Sequence, residues 1–151
     1  MKRRESRTEA SFNPFFKNEQ RKTKMKKLIK TRQGTPYPEM IRVLPEIDIP
    51  IKGIKGWLLQ GGEKQVVFFD IEPIGELPAH SHCTQWGLMV QGQMNLTIEG
   101  KHKIFSAGDW YFIPAGAVHS AVFLTNVYVI DVFDDPERYK KKGGGVRQGR
   151  P

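Results

Sequence analysis

The segment Gly108-Asp109-Trp110-Tyr111-Phe112-Ile113-Pro114-Ala115-Gly116-Ala117-Val118-His119 decides the fold. Gly108-Asp109 reads as a turn, and the strand formers Trp110 to Ile113 follow it. Pro114 has no N–H to give to a β-ladder and ends that strand. Pro114-Ala115-Gly116 turns the chain again, and His119 opens another run, to Leu124. The same rhythm extends in both directions. Upstream, Val66–Ile71 and Gln85–Val90 read as strands, and Met94-Asn95-Leu96-Thr97-Ile98-Glu99 alternates strictly, with Met94, Leu96 and Ile98 on one face. Gly100-Lys101 then turns the chain into Lys103-Ile104-Phe105. Downstream, Asn126 separates His119–Leu124 from Val127–Phe133. Short strands at regular spacing, with no convincing helix between them, predict an all-β antiparallel sandwich or barrel.

Three of the four histidines fall in two clusters. In His80-Ser81-His82 the imidazoles are two residues apart, so on a strand both point to the same face. Neutral imidazole suits Zn, Ni, Fe and Cu, and two on one rigid strand form half a metal site. His119, at the start of a separate strand, is the third candidate ligand. Hydrogen-bonded core histidines are the competing explanation. His102, in the Gly100-Lys101-His102 turn, reads as a surface residue.

At this point the sequence resembles a known family, the cupins. Gly108, Pro114, Gly116 and His119 match the second cupin motif at its spacing, and His80, His82 and Gly92 match key places in the first. The resemblance covers roughly residues 40–134. It implies a double-stranded β-helix, or jelly roll, of the single-domain RmlC-like type, with His119 facing His80 and His82 inside the barrel. It also implies one divalent transition metal (Zn, Ni, Fe or Mn) and pairing of the chain as a homodimer.

Two positions depart from the family pattern. Gln85 stands where the motif usually has Glu, and Phe123 replaces the Asn of the second motif. Gln85 lies three places after His82, an offset that reverses facing in a regular strand, so a bulge or bend must turn it inward. If the strand stays regular, Thr84 and Trp86 face the site instead. With Gln85 inward, Gly87 and Met89 line the interior, while Trp86, Leu88 and Val90 face away. The metal set implied is His80, His82, Gln85 and His119. These ligands are all neutral and leave the ion's charge uncompensated, which favours anionic ligands and Lewis-acid chemistry. Similar shells occur in the pectin-degradation cupins that promote ring opening of unsaturated uronates. Met89, Phe112 and Phe123 are candidate substrate contacts, with Trp86 and Trp110 as further aromatic candidates. Cys83 could be a ligand or a redox-sensitive thiol, or simply a small packing group. Asp109 reads as a turn residue. No general acid or base stands out among Glu76, Tyr111 and Tyr128.

The charge is unevenly distributed. Of the net +8, residues 1–33 carry +9 and residues 136–151 carry +5, while residues 34–135 carry −6. This predicts a β-barrel domain over 34–135 between a basic, disordered extension (1–33) and a basic Gly-rich tail (136–151). The extension has no aromatic interleaving or helix-turn-helix pattern, so nucleic acid is not the expected partner. No apolar run reaches the length of a membrane span and no secretory signal is legible, which makes a cytoplasmic location the expectation. The single cysteine excludes an intramolecular disulfide. The expected function is a metal-dependent lyase or isomerase acting on a small sugar acid or organic acid. A metal-dependent dioxygenase and a non-catalytic sensor that binds a small molecule are the alternatives.

Overall fold

The computed structural model describes residues 34–143, so the 1–33 extension and residues 144–151 of the tail lie outside the described residues. A short helix α1 (Glu39–Arg42) precedes nine strands: β1 (Ile54–Gln60), β2 (Gln65–Ile71), β3 (Gly75–His80), β4 (Gln85–Gln91), β5 (Gln93–Ile98), β6 (Lys101–Ser106), β7 (Trp110–Ile113), β8 (His119–Phe123) and β9 (Val127–Phe133). They form a five-stranded sheet, in the order β1-β2-β9-β4-β7, and a four-stranded sheet, in the order β3-β8-β5-β6. Every strand pairing is antiparallel. This is the two-sheet jelly roll expected from the strand rhythm.

Period-two alternation sets the inner faces. In β2, Gln65, Val67, Phe69 and Ile71 are buried while Val66, Phe68 and Asp70 are partly exposed. Val67, Phe69, Met94, Leu96, Phe123 and Phe133 meet between the sheets, and each full burial contributes about 1.5–3 kcal/mol. Gly92 links β4 to β5 with φ of +90°, and a Cβ there would lie 2.0 Å from the Asn126 carbonyl oxygen. Only glycine fits that crossing of the chain.

Both ends of the described chain pack on the barrel. Tyr37 lies over the outer face of the five-stranded sheet, edge-on to Trp57, Phe68 and Tyr128, with its hydroxyl 3.0 Å from the carbonyls of Phe69 and Val129. At the other end, the tail expected from residue 136 starts later. The buried Gln65 amide donates to the carbonyls of Pro136 and Tyr139 (2.8 and 2.9 Å) and accepts from the Tyr139 N–H (2.9 Å). Asp48 N–H donates to the Lys140 carbonyl and Lys142 N–H to the Glu46 carbonyl, both at 2.8 Å. The Tyr139 ring packs edge-on against Phe69 and Phe133. The basic composition of 136–142 hid this anchor: one aromatic ring and a buried glutamine hold a charged strap across the end of the barrel.

Candidate metal site

His80 is the last residue of β3 and pairs in register with His119, the first of β8. His82 lies beyond β3, in the segment that crosses to β4 in the other sheet. The strand geometry expected for His80-Ser81-His82 therefore does not hold, yet the rings converge. Their centroids are 4.3 Å (His80–His119), 4.6 Å (His82–His119) and 5.4 Å (His80–His82) apart. One ligand atom from each lies within 4.8 Å of the others.

Each ring is oriented the same way. Nδ1 of His80, His82 and His119 lies 2.8, 2.8 and 2.9 Å from the carbonyls of Pro78, Cys83 and Ala117. A carbonyl only accepts, so each Nδ1 carries the proton and each Nε2 presents a lone pair, as in histidines prepared for a metal. The Nε2 atoms of His82 and His119 are 3.1 Å apart. Two lone pairs at that distance repel unless a cation or proton lies between them. Two nitrogens bound at about 2.0–2.1 Å to one tetrahedral ion stand about 3.3 Å apart, so the donor set fits a transition metal. Burial drives His82 down to about 4 and also lowers His119, which keeps both rings neutral and ready to coordinate. The ring donors alone match; the chain's fourth donor, if any, must come from another wall.

The opposite wall is built from three strands of the five-stranded sheet. Gln85 opens β4 and is buried, its side chain directed inward. The break of strand at residues 81–84 supplies the bend that the three-residue offset requires. Gly87, Tyr111 and Asp131 occupy one row across β4, β7 and β9. A Cβ on Gly87 would lie 2.1 Å from the Tyr111 ring, so the glycine is what lets that ring cross β4. Having crossed, the Tyr111 hydroxyl donates to Asp131 Oδ1 at 2.6 Å. Burial pushes Asp131 up to about 7, against the Tyr111 and Gln85 hydrogen bonds that pull it down. Burial and the Asp131 charge hold the Tyr111 proton firmly in place.

The two walls enclose a cavity of about 550 Å³. Its polar lining includes the three histidines, Gln85, Tyr111 and Asp131, and the strap adds Arg138 and Tyr139. The Arg138 guanidinium lies over the Tyr139 ring, 4.7 Å from its centroid, and its Nε is buried without a partner among the described residues. The remaining lining is largely apolar, with Phe69, Leu96 and Phe123 among it.

The sequence-predicted contacts divide. Phe123 lines the cavity. Met89 is buried in the core and is absent from the cavity wall. Phe112 faces outward, as do Trp86 and Trp110, because in β7 the inward phase belongs to Tyr111 and Ile113. Thr84 lies in the crossing segment, where its carbonyl accepts from Asp134 N–H. Burial pushes the Cys83 thiol up, away from the reactive thiolate. Asp109 accepts from Ser106 N–H at 2.8 Å, the turn role expected of it. Sequence reasoning missed Asp131 and Arg138. Asp131 is the single charged residue in Val127–Phe133 and falls on the phase of Val129 and Phe133, a signal that was readable. Arg138 carried no such signal among the lysines around it.

These features define a jelly-roll barrel with an imidazole cluster at the cavity between its sheets. Residues 67–133, from β2 to the end of β9, match the family model for the cupin domain, and with this fold they make the chain a member of the cupin superfamily. No curated protein matches the chain in sequence. Among solved structures, an RmlC-like cupin from Shewanella frigidimarina is 28% identical, with a TM-score of 0.57, covering 72% of this chain and 94% of that one. KdgF from Halomonas sp. is 27% identical, with a TM-score of 0.55, over 61% of this chain and 86% of its own. A variant of oxalate decarboxylase from Bacillus subtilis shares the fold at 23% identity and a TM-score of 0.52, over 62% of this chain and 28% of its own.

Proposed function

We propose that this cupin holds one divalent transition metal through His80, His82, His119 and Gln85, and acts as a lyase or isomerase on a small anionic sugar acid or organic acid. The observation that carries this reading is the shared orientation of the three histidines, each with Nδ1 against a backbone carbonyl and Nε2 free. Gln85 completes the set because of what it faces. An ionised Asp131 only accepts hydrogen bonds, so the bond between them uses the Gln85 Nε2–H and leaves Oε1 for coordination.

When bound, the ion supplies Lewis acidity toward a substrate oxygen. The chain's own groups do the rest. Arg138, with a free donor and a face stacked on Tyr139, holds the substrate carboxylate by a charge-assisted bond. Asp131, poised near neutral pH, exchanges a proton with the substrate, and Tyr111 fixes its carboxyl orientation. The apolar lining excludes competing water. A carboxylate is retained and a proton is moved, with no oxidant needed, which favours this reading over a dioxygenase.

The test is turnover. Metal-loaded protein is assayed against a panel of unsaturated uronates and keto acids, with chelated protein and Asp131→Asn as comparisons. Conversion of at least one member, abolished in both comparisons, is expected. A protein with one ion per chain that converts none of them would overturn the reading.

A further inference from the structure

The outer faces of the two sheets differ. On the four-stranded sheet, one row across the strands reads Glu76, Val122, Asn95 and Ile104, a mixed surface with a charge and an amide. On the five-stranded sheet the corresponding row reads Phe112, Trp86, Val132, Val66 and Leu59, with no charged side chain in five strands. The neighbouring row begins at Trp110 and Leu88, and its far end, at Phe68 and Trp57, is covered by the segment that carries Tyr37, Ile41 and Leu44. The first row has no such cover among the described residues: Trp110 is 62% exposed, Phe112 51%, Leu59 50% and Trp86 37%.

We infer that this uncovered half of the five-stranded sheet is where a second copy of the chain docks, face to face, about a two-fold axis near Val132. Area is the first argument. With about 200–250 Å² per large aromatic side chain, the exposed fractions leave on the order of 350 Å² of ring surface, and the aliphatic residues raise the patch to about 500 Å². A stable interface of about 800 Å² per partner, roughly two-thirds apolar at its centre, needs about that much. Shape is the second. The tall rings Trp86, Trp110 and Phe112 stand on β4 and β7, at one side of the row, and the low side chains Val66 and Leu59 stand on β2 and β1, at the other. A two-fold axis through the middle strand, β9, lays the aromatic ridge of each copy on the aliphatic shelf of the other, as an isologous interface requires. Charge is the third. The row offers nothing to select a charged partner and nothing to repel its own copy. Packed sheets about 10 Å apart would bury it. The cavity opens between the sheets, on the other side of β4 and β9, so docking leaves it accessible and does not depend on the proposed activity.

Sedimentation velocity on the full chain at micromolar concentration tests this. The native protein is expected to sediment as two chains. Trp110→Glu combined with Phe112→Glu should raise the dissociation constant at least a hundredfold and give monomer, whereas Ile104→Glu, on the outer face of the other sheet, should leave the dimer intact. Hydrogen exchange of the native protein on dilution checks the result without any variant: β4 and β7 should lose protection as the dimer dissociates, and β5 and β6 should not. A native monomer, a dimer that survives the double substitution, or a dimer whose dilution exposes β5 and β6 would each overturn the proposal. A monomer in which Trp86 and Trp110 are shielded from solvent quenchers would assign the face to another segment of the chain, and would overturn it equally.

Discussion

The two walls of the cavity are built on different plans. The four-stranded wall brings two imidazoles together in register, His80 on β3 and His119 on β8, and His82 joins them from the crossing segment. Around them the wall is aliphatic and aromatic. The five-stranded wall collects one hydrogen-bonding group from each of three strands, Gln85, Tyr111 and Asp131, and closes with Arg138 from the strap. One wall binds; the other moves protons and holds charge. The difference teaches that coordination here is encoded locally, while acid–base chemistry is encoded across strands by phase.

Substitutions that break one wall should leave the other working. His82→Ala is the largest cut, since two of the three nitrogens left cannot hold an ion against water: metal affinity should fall by at least about a hundredfold in competition with a chromophoric chelator. Asp131→Asn keeps an acceptor for Tyr111 but carries no exchangeable acid, so kcat should drop about 10²–10⁴-fold with metal content unchanged. Arg138→Ala should act mainly on KM, raising it about 10–100-fold for an anionic substrate and much less for its amide. Tyr111→Phe should have the smallest effect. It removes a hydrogen bond that lowers Asp131, so the acid limb of the pH–rate profile should move to higher pH while metal content and fold stay as they are.

Stability sharpens the same contrast, with opposite signs at the two walls. Asp131 is raised in the folded chain to about 7, so the stability it contributes is complete below the unfolded carboxylate value and is lost as pH rises through about 7. His82 is lowered to about 4, so the unfolded chain takes up a proton first, and metal-free stability falls as pH drops from about 6.5 towards 4. Thermal melts of metal-free Asp131→Asn should therefore exceed those of the native protein at pH 8 and match them near pH 4. A variant no more stable than the native protein at pH 8 would remove the buried-carboxyl account.

Much of the first wall was legible in the sequence. His80, His82 and His119 stand in short, dense motifs, and turn residues such as Gly108 and Gly116 mark the strands that carry them. The inward turn of Gln85 also followed, from the count to Gly92 and the alternation of Gly87 and Met89. The second wall was not read because its members are far apart in sequence and ordinary one at a time. Tyr111 looked like one aromatic among four, and only the Gly87 gap in the neighbouring strand shows why it reaches Asp131. Phe112 was misplaced for a related reason: in Trp110-Tyr111-Phe112-Ile113 every residue is apolar or aromatic, so composition does not report the phase. The strap was missed because its lysines outweigh the single ring of Tyr139.

The central claim is that the histidine wall alone holds the metal while the opposite wall works on the substrate. Elemental analysis of three purified proteins, native, His82→Ala and Asp131→Asn, tests it most directly. The account predicts close to one transition-metal ion per chain in the native protein and in Asp131→Asn, and almost none in His82→Ala. Metal retained by His82→Ala, or lost from Asp131→Asn, would contradict it.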